Sequence, residues 1–280
     1  MATRNPKRIQ RPVTSLAAFV RRVENITLDW APDRQFDPWF RGQGADWALA
    51  PGLYRPPYNE NVDDEDNYRE DFKLRAVQYL EGSAREPKNE WEWYFLMQHW
   101  GLPTRLLDWT RSALVALYFA VRDKKLEPSE TGSKGKLKRS KEEPDGDAVV
   151  WVLDPWAVNK KIAHKGDFLF SASDRGVQGY LQKPFSKKIL PSGPIALEAA
   201  FDSKRIAAQR GCFTLHGRTR KALDKYSAIK TRLVKIEIAH KRVGDIREQL
   251  RVLGITETSV FPELSGLTRE IKDYWTYYRR

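Results

Sequence analysis

Residues 113–121, Ala-Leu-Val-Ala-Leu-Tyr-Phe-Ala-Val, constrain the fold more than any other stretch. A helix that is apolar nearly all round must be covered on every side, so the rest of the chain has to wrap it. Thr110 or Ser112 is placed to cap its N-terminus. Ahead of it, residues 104–108 read as extended. Before them, residues 89–100 read as a helix dense in aromatics, with Trp91, Trp93, Tyr94, Phe95 and Trp100. Gly101 is placed to end that helix and Pro103 stops its continuation.

The remaining pattern is mixed. A helix is expected after Thr14 or Ser15, with Leu16, Phe19, Val20 and Val23 on one face. Residues 38–44 read as a short strand running into a glycine turn, and residues 66–81 as a helix whose acidic start suits its dipole. In the second half, residues 148–153, 195–199, 212–216 and 233–238 read as strands, the last alternating cleanly. Residues 241–253 read as an amphipathic helix stopped by Gly254, residues 255–261 as extended, and a last helix is expected from about Pro262. The fold class is therefore α+β: one domain, an N-terminal helical half packed on a mostly antiparallel sheet. Residues 1–13 are expected to be a flexible basic arm and residues 14–280 the domain. Within it, residues 122–147 hold eight Lys/Arg and seven acids with almost nothing apolar, a disordered charged insertion.

Several function classes are disfavoured at this level. No stretch approaches the ~20 apolar residues of a membrane helix, and no apolar run follows the basic start, so a secretory signal is not expected. A single cysteine, Cys212, gives no disulfide framework or cysteine zinc site, and His99, His164, His216 and His240 lack a ligand spacing. The expectation is a cytoplasmic protein with no metal and no membrane partner. The formal charge of +12 is uneven. Residues 202–251 carry fourteen Lys/Arg against five Asp/Glu. If the side chains from Lys204 to Arg251 share a face, they attract a nucleic acid; otherwise they are solvated faces of a strand and a helix.

Three clusters carry residue types suited to chemistry. Phe40-Arg41-Gly42-Gln43-Gly44 can present a guanidinium fork beside glycines that admit a ligand, or it is an ordinary turn. From Gln98 to Thr110, Gln98, His99, Thr104, Arg105, Asp108 and Thr110 alternate with large apolar residues. They read as a polar site, or as an Arg105–Asp108 ion pair, a helix-end His99 and an N-cap Thr110. In the third cluster, around Arg205, Gln209, Gly211 and Phe213, Gln209 can hydrogen-bond an amide or a ribose. Cys212 there reads as a small buried residue rather than a nucleophile.

Together these clusters resemble the FRG domain family, named for a Phe-Arg-Gly motif present here as residues 40–42. The family's longer second motif resembles residues 98–110 followed by 115–120. Its third resembles Arg205 with Gln209, Gly211 and Phe213, and its close resembles residues 260–264. A more distant likeness is to the ADP-ribosyltransferase fold, which carries three motifs on a split sheet. That resemblance implies NAD as cofactor, held by Arg41 with Gly42, Gln43, Arg105 and Thr110. It implies Asp108, His99 and Gln209 as catalytic residues, although Gln209 stands where the fold's glutamate is expected. The implied activity is an ADP-ribosyltransferase-like effector, of toxin or phage-defence type, acting on nucleic acid or protein and held by an antitoxin or neutralising protein. The alternative is a non-catalytic nucleotide or nucleic-acid sensing module on the same pocket.

Overall fold

The computed structural model describes residues 11–31, 37–60, 64–80, 86–124, 146–182, 185–186, 188–198 and 203–278. Most of the expected insertion and residues 1–10 of the expected arm lie outside them. At the base of the insertion, Lys124 Nζ donates to the Gly146 carbonyl at 2.7 Å. Val13, at the end of the expected arm, is buried and bridges Ile238.

Six strands form one antiparallel sheet: β1 (Trp39–Gln43), β2 (Leu106–Thr110), β3 (Ala148–Leu153), β4 (Ile195–Glu198), β5 (Gly211–Leu215) and β6 (Leu233–Ile238), in the order β4-β5-β2-β1-β3-β6. β1 and β2, expected as a short strand at 38–44 and an extended 104–108, are the central pair, so the half expected to be mainly helical also builds the middle of the sheet. That middle is weakly joined. β1 pairs with β3 over five residues and β2 with β5 over five, yet β1 and β2 share only Phe40↔Thr110. The sheet thus divides into two three-stranded halves.

The helices follow from local signals. α1 (Leu16–Trp30) is capped by Ser15, whose Oγ accepts from Ala18 N at 3.2 Å. Leu16, Phe19 and Ile26 are its buried face, while Val20, expected in the core, is half-exposed. α2 spans Asp64–Ala76, ending earlier than expected, and α3 spans Glu90–His99 from an Asn89 cap. Gly101 after α3 has φ +83°, the left-handed geometry that glycine takes without penalty. The apolar helix is α4 (Ala113–Val121), capped by Ser112. α5 (Pro155–Lys161) and α6 (Lys204–Gln209) are short helices with no expectation behind them, each capped by the preceding Asp154 or Ser203. α7 spans Val243–Val252. Residues 255–261, expected to be extended, contain α8 (Glu257–Val260), because Thr256 and Ser259 form a reciprocal capping box. α9 (Leu264–Asp273) follows. Among the described residues, no helix is long and apolar enough to cross a membrane.

Three cores result. On one face of the sheet, α1, α4 and α7 cover Phe40, Val150, Val152 and Ile236 of the β1-β3-β6 half. On the same face, α3 covers Leu106, Leu197 and Phe213 of the β4-β5-β2 half. The opposite face has one core that runs across both halves, through Trp39, Leu107, Trp109, Leu153 and Cys212. The first face is therefore parted above the seam between β1 and β2.

Candidate functional site

A cleft of about 290 Å³ opens at that parting. The strand alternation that sends Leu107 and Trp109 to the opposite core turns Asp108 and Thr110 into the cleft. Phe95 and Phe213 wall it from one core, stacked with ring centroids 5.2 Å apart. Phe119 and Phe261 wall it from the other, edge to face at 5.7 Å.

Polar groups converge between these walls. Arg41, Gly42, His99, Asp108, Thr110 and Gln209 all line the cleft, from three separate stretches of sequence. Asp108 has a side chain 57% exposed at the mouth. Its two oxygens accept from Gln98 Nε2 at 2.8 and 2.9 Å, and the Gln98 carbonyl oxygen accepts in turn from the Thr104 hydroxyl. The carboxylate is thereby fixed in plane by a neutral donor. Arg41 Nη1 donates to the Asp108 backbone carbonyl at 2.7 Å and lies 3.7 Å from its carboxylate. The side chain supplies a contact where the strand ladder stops. The Arg41 side chain is only 16% exposed. Burial lowers its pKa to about 10, with Asp108 opposing and Arg55 assisting the shift.

Thr110 links the second and third motifs. Its hydroxyl donates to the Gln209 carbonyl at 2.6 Å and accepts from Ser112 N at 2.9 Å. Gln209 Nε2 reaches the Val260 carbonyl at 3.3 Å, which ties α6 to α8. His99 closes the far side, with Nε2 4.0 Å from Glu263. Burial first, then the charge of Arg205, lower the His99 pKa against the pull of Glu263, so its imidazole is neutral at pH 7.

Residues 37–129 match the family model of the FRG domain. Over that third of the chain the sequence is similar to the FRG domain. No curated protein and no solved structure matches the chain. The FRG-matched stretch runs from just before β1 to beyond α4 and holds Arg41, Gly42, Gln98, His99, Asp108 and Thr110. It ends before α6, α8 and β5, so Arg205, Gln209 and Phe261 complete the cleft from outside it.

Two site expectations need correction, and a third gains a reason within the fold. Gln43 does not line the cleft: its side chain is buried, and its Oε1 accepts from Trp151 Nε1 on the neighbouring β3 at 2.9 Å. Arg105 does not pair with Asp108 and does not line the cleft. It lies at the opposite end of β2 from Thr110, 4% exposed, with Nε on Glu65 at 2.7 Å, Nη1 on the His216 carbonyl at 2.9 Å and Nη2 on the Tyr180 carbonyl at 2.8 Å. Burial alone would lower its pKa; Glu65 and the neighbouring tyrosines raise it above the usual arginine value. Gly42 lines the cleft, but the close approach that requires glycine is by the fold itself. A Cβ there would lie 1.8 Å from the Ala116 carbonyl oxygen and 2.6 Å from Ala120 N.

The basic stretch 204–251 does not form one face. Leu223 and Ile229 anchor its middle in the core on one face of the sheet, while Val243, Ile246 and Leu250 anchor α7 on the other. Lys225, Lys235, Arg242 and Arg251 are ion-paired with Asp224, Asp46, Asp245 and Glu248. Cys212 is fully covered, and burial raises its thiol pKa well above the usual value, which suits packing rather than nucleophilic use. Among the described residues, no group of His, Cys, Asp and Glu could hold a metal ion.

Proposed function

We propose that the cleft binds NAD and that the chain is an ADP-ribosyltransferase-like effector whose target is a nucleic acid or a protein. The observation that carries this reading is the convergence of the three motif segments on one cleft at the seam of a divided sheet. Arg41 on β1, Asp108 and Thr110 on β2 leading into the apolar α4, and Gln209 ahead of β5 stand in the order that this chemistry uses. The volume suits a nucleoside-sized portion of the ligand, and the rest of a dinucleotide would lie along the open mouth.

Transfer breaks the bond between ribose C1′ and the nicotinamide nitrogen and forms one from C1′ to an acceptor atom. Asp108 is the one carboxylate among the lining residues, and so the group that would stabilise positive charge developing on the ribose. Gln98 holds it ready without neutralising it. Neutral His99 is the group available to take the acceptor's proton, and Gln209 orients the ribose without adding charge. The target would approach past α6, where Lys204 and Arg210 are exposed.

Calorimetry with NAD and an assay of nicotinamide release test the reading together. The expected result is binding and release by the intact protein, with release lost in Asp108→Asn and binding weakened in Arg41→Ala. Absence of both in the intact protein ends it. The neutral Gln209 favours a second reading, a nucleotide sensor on the same cleft. It predicts a ligand-induced rise in Tm with no nicotinamide released.

A further inference from the structure

Two arginines line the cleft, and they are in different electrostatic states. Arg41 is engaged: its Nη1 contacts the Asp108 carbonyl and faces the Asp108 carboxylate. Arg205, on α6, has no carboxylate within 4 Å among the described residues. Its guanidinium carbon lies 4.6 Å from the centroid of the Phe261 ring, and its Nη1 makes one long contact, 3.4 Å, with the His99 carbonyl. A third arginine shares the same aromatic platform: the Arg122 guanidinium carbon is 4.4 Å from the Phe261 centroid. Arg122, however, donates to Glu257 at 2.8 Å and is neutralised there. A guanidinium has five donors, and an aromatic face satisfies none of them. Arg205 is thus held in place by its flat side and keeps its donor edges for something else.

We propose that Arg205, rather than Arg41, is the anion-holding residue of the cleft and grips the phosphates of a nucleotide ligand. The proposal rests on reading the cleft as a nucleotide site. It reassigns the phosphate contact expected of Arg41, which instead fixes Asp108. The aromatic platform keeps the planar fork oriented, and a fork of fixed orientation binds phosphate oxygens in pairs. Phe261 is therefore a positioning residue for Arg205.

The test compares ligands with and without phosphates. Binding of ADP-ribose, adenosine and inorganic pyrophosphate to the full chain is measured by calorimetry, with nicotinamide release followed separately. ADP-ribose affinity should fall at least tenfold in Arg205→Ala, with adenosine unchanged. Arg205→Lys should recover part of it, and Phe261→Leu should weaken ADP-ribose but not adenosine. Raising the salt should weaken ADP-ribose in the wild type far more than in Arg205→Ala. Equal losses for adenosine and ADP-ribose, or an undiminished ADP-ribose affinity in Arg205→Ala, overturn the proposal. So does a wild type that binds neither ADP-ribose nor pyrophosphate. ADP-ribose binding lost in Arg205→Ala, with no nicotinamide released by the wild type, ends the transferase reading and leaves this one standing. Release that persists undiminished in Arg205→Ala does the reverse.

Discussion

Arg105 and Asp108 are three residues apart, and the fold uses them in opposite ways. Around Arg105 every charge is answered: Glu65 accepts from its Nε, two carbonyls accept from its other nitrogens, and the Tyr94 hydroxyl bridges Glu65 to the Arg105 backbone N–H. Around Asp108 the partners are a neutral amide and a guanidinium at 3.7 Å, and the carboxylate remains exposed. The first cluster has no capacity left for a ligand and serves to lock α2 and α3 against the end of β2. The second has capacity left, at the place where the sheet parts. Residue type does not distinguish a structural network from a site; hydrogen-bond saturation does.

The sharpest way to break that contrast is to remove one partner in each cluster. Glu65→Ala leaves Arg105 buried and uncompensated and should cost about 4 kcal/mol in urea denaturation, enough to unfold a marginal domain. If it costs less than about 1 kcal/mol, Arg105 is not the sealed group described here. Gly42→Ala comes next, at about 3 kcal/mol, because the new methyl meets helix backbone that has no way to move aside; a thermal melt reads the loss. A third test uses pH. His216 is fully buried beside the sealed cluster, and burial, then Arg105, lower its pKa to about 3. The folded state refuses the proton that the unfolded chain takes up near 6.5, so stability is complete above pH 6.5 and falls as pH drops towards 3. About 2 kcal/mol should be lost from this group between pH 7 and pH 5, and His216→Phe should flatten that slope. The smallest stability effect is expected at the site. Asp108→Asn should shift the urea midpoint by less than about 0.5 kcal/mol equivalent, while removing nicotinamide release.

Much of this fold was legible in the chain. Ser15, Asn89 and Ser112 cap helices where short polar residues precede apolar periodicity, and Gly101 and Gly254 end helices with φ of +83° and +80°. Four second-half strands fall within a residue of their apolar runs. Short elements were not legible. α6 is six residues long and α8 four, less than the window over which helical periodicity can be counted, and their caps are the only local signal. Of the candidate site, Arg41, His99, Asp108, Thr110 and Gln209 do meet. Gln43 was lost to a partner 108 residues away on β3, and Arg105 to a partner forty residues away in α2. The roles of Gln98 and Arg205 were hidden for a related reason. Both sat in recognised motifs, but what singles them out is a contact with Asp108 in one case and the lack of a carboxylate in the other. Likewise the basic run is continuous in sequence and divided in space, because the sheet passes through the middle of it.

The single pair Phe40↔Thr110 has a consequence for ligand energetics. Across the centre of the sheet almost no backbone bonding joins the halves, so the continuous core on the far face and the side chains at the seam hold them in register. A molecule that touches Arg41 on one half and Gln209 or Arg205 on the other becomes a rung of that missing ladder. Its binding energy is then also cohesion of the fold. The amide protons to gain protection on binding should be those of the strands flanking the seam, well beyond the residues in direct contact.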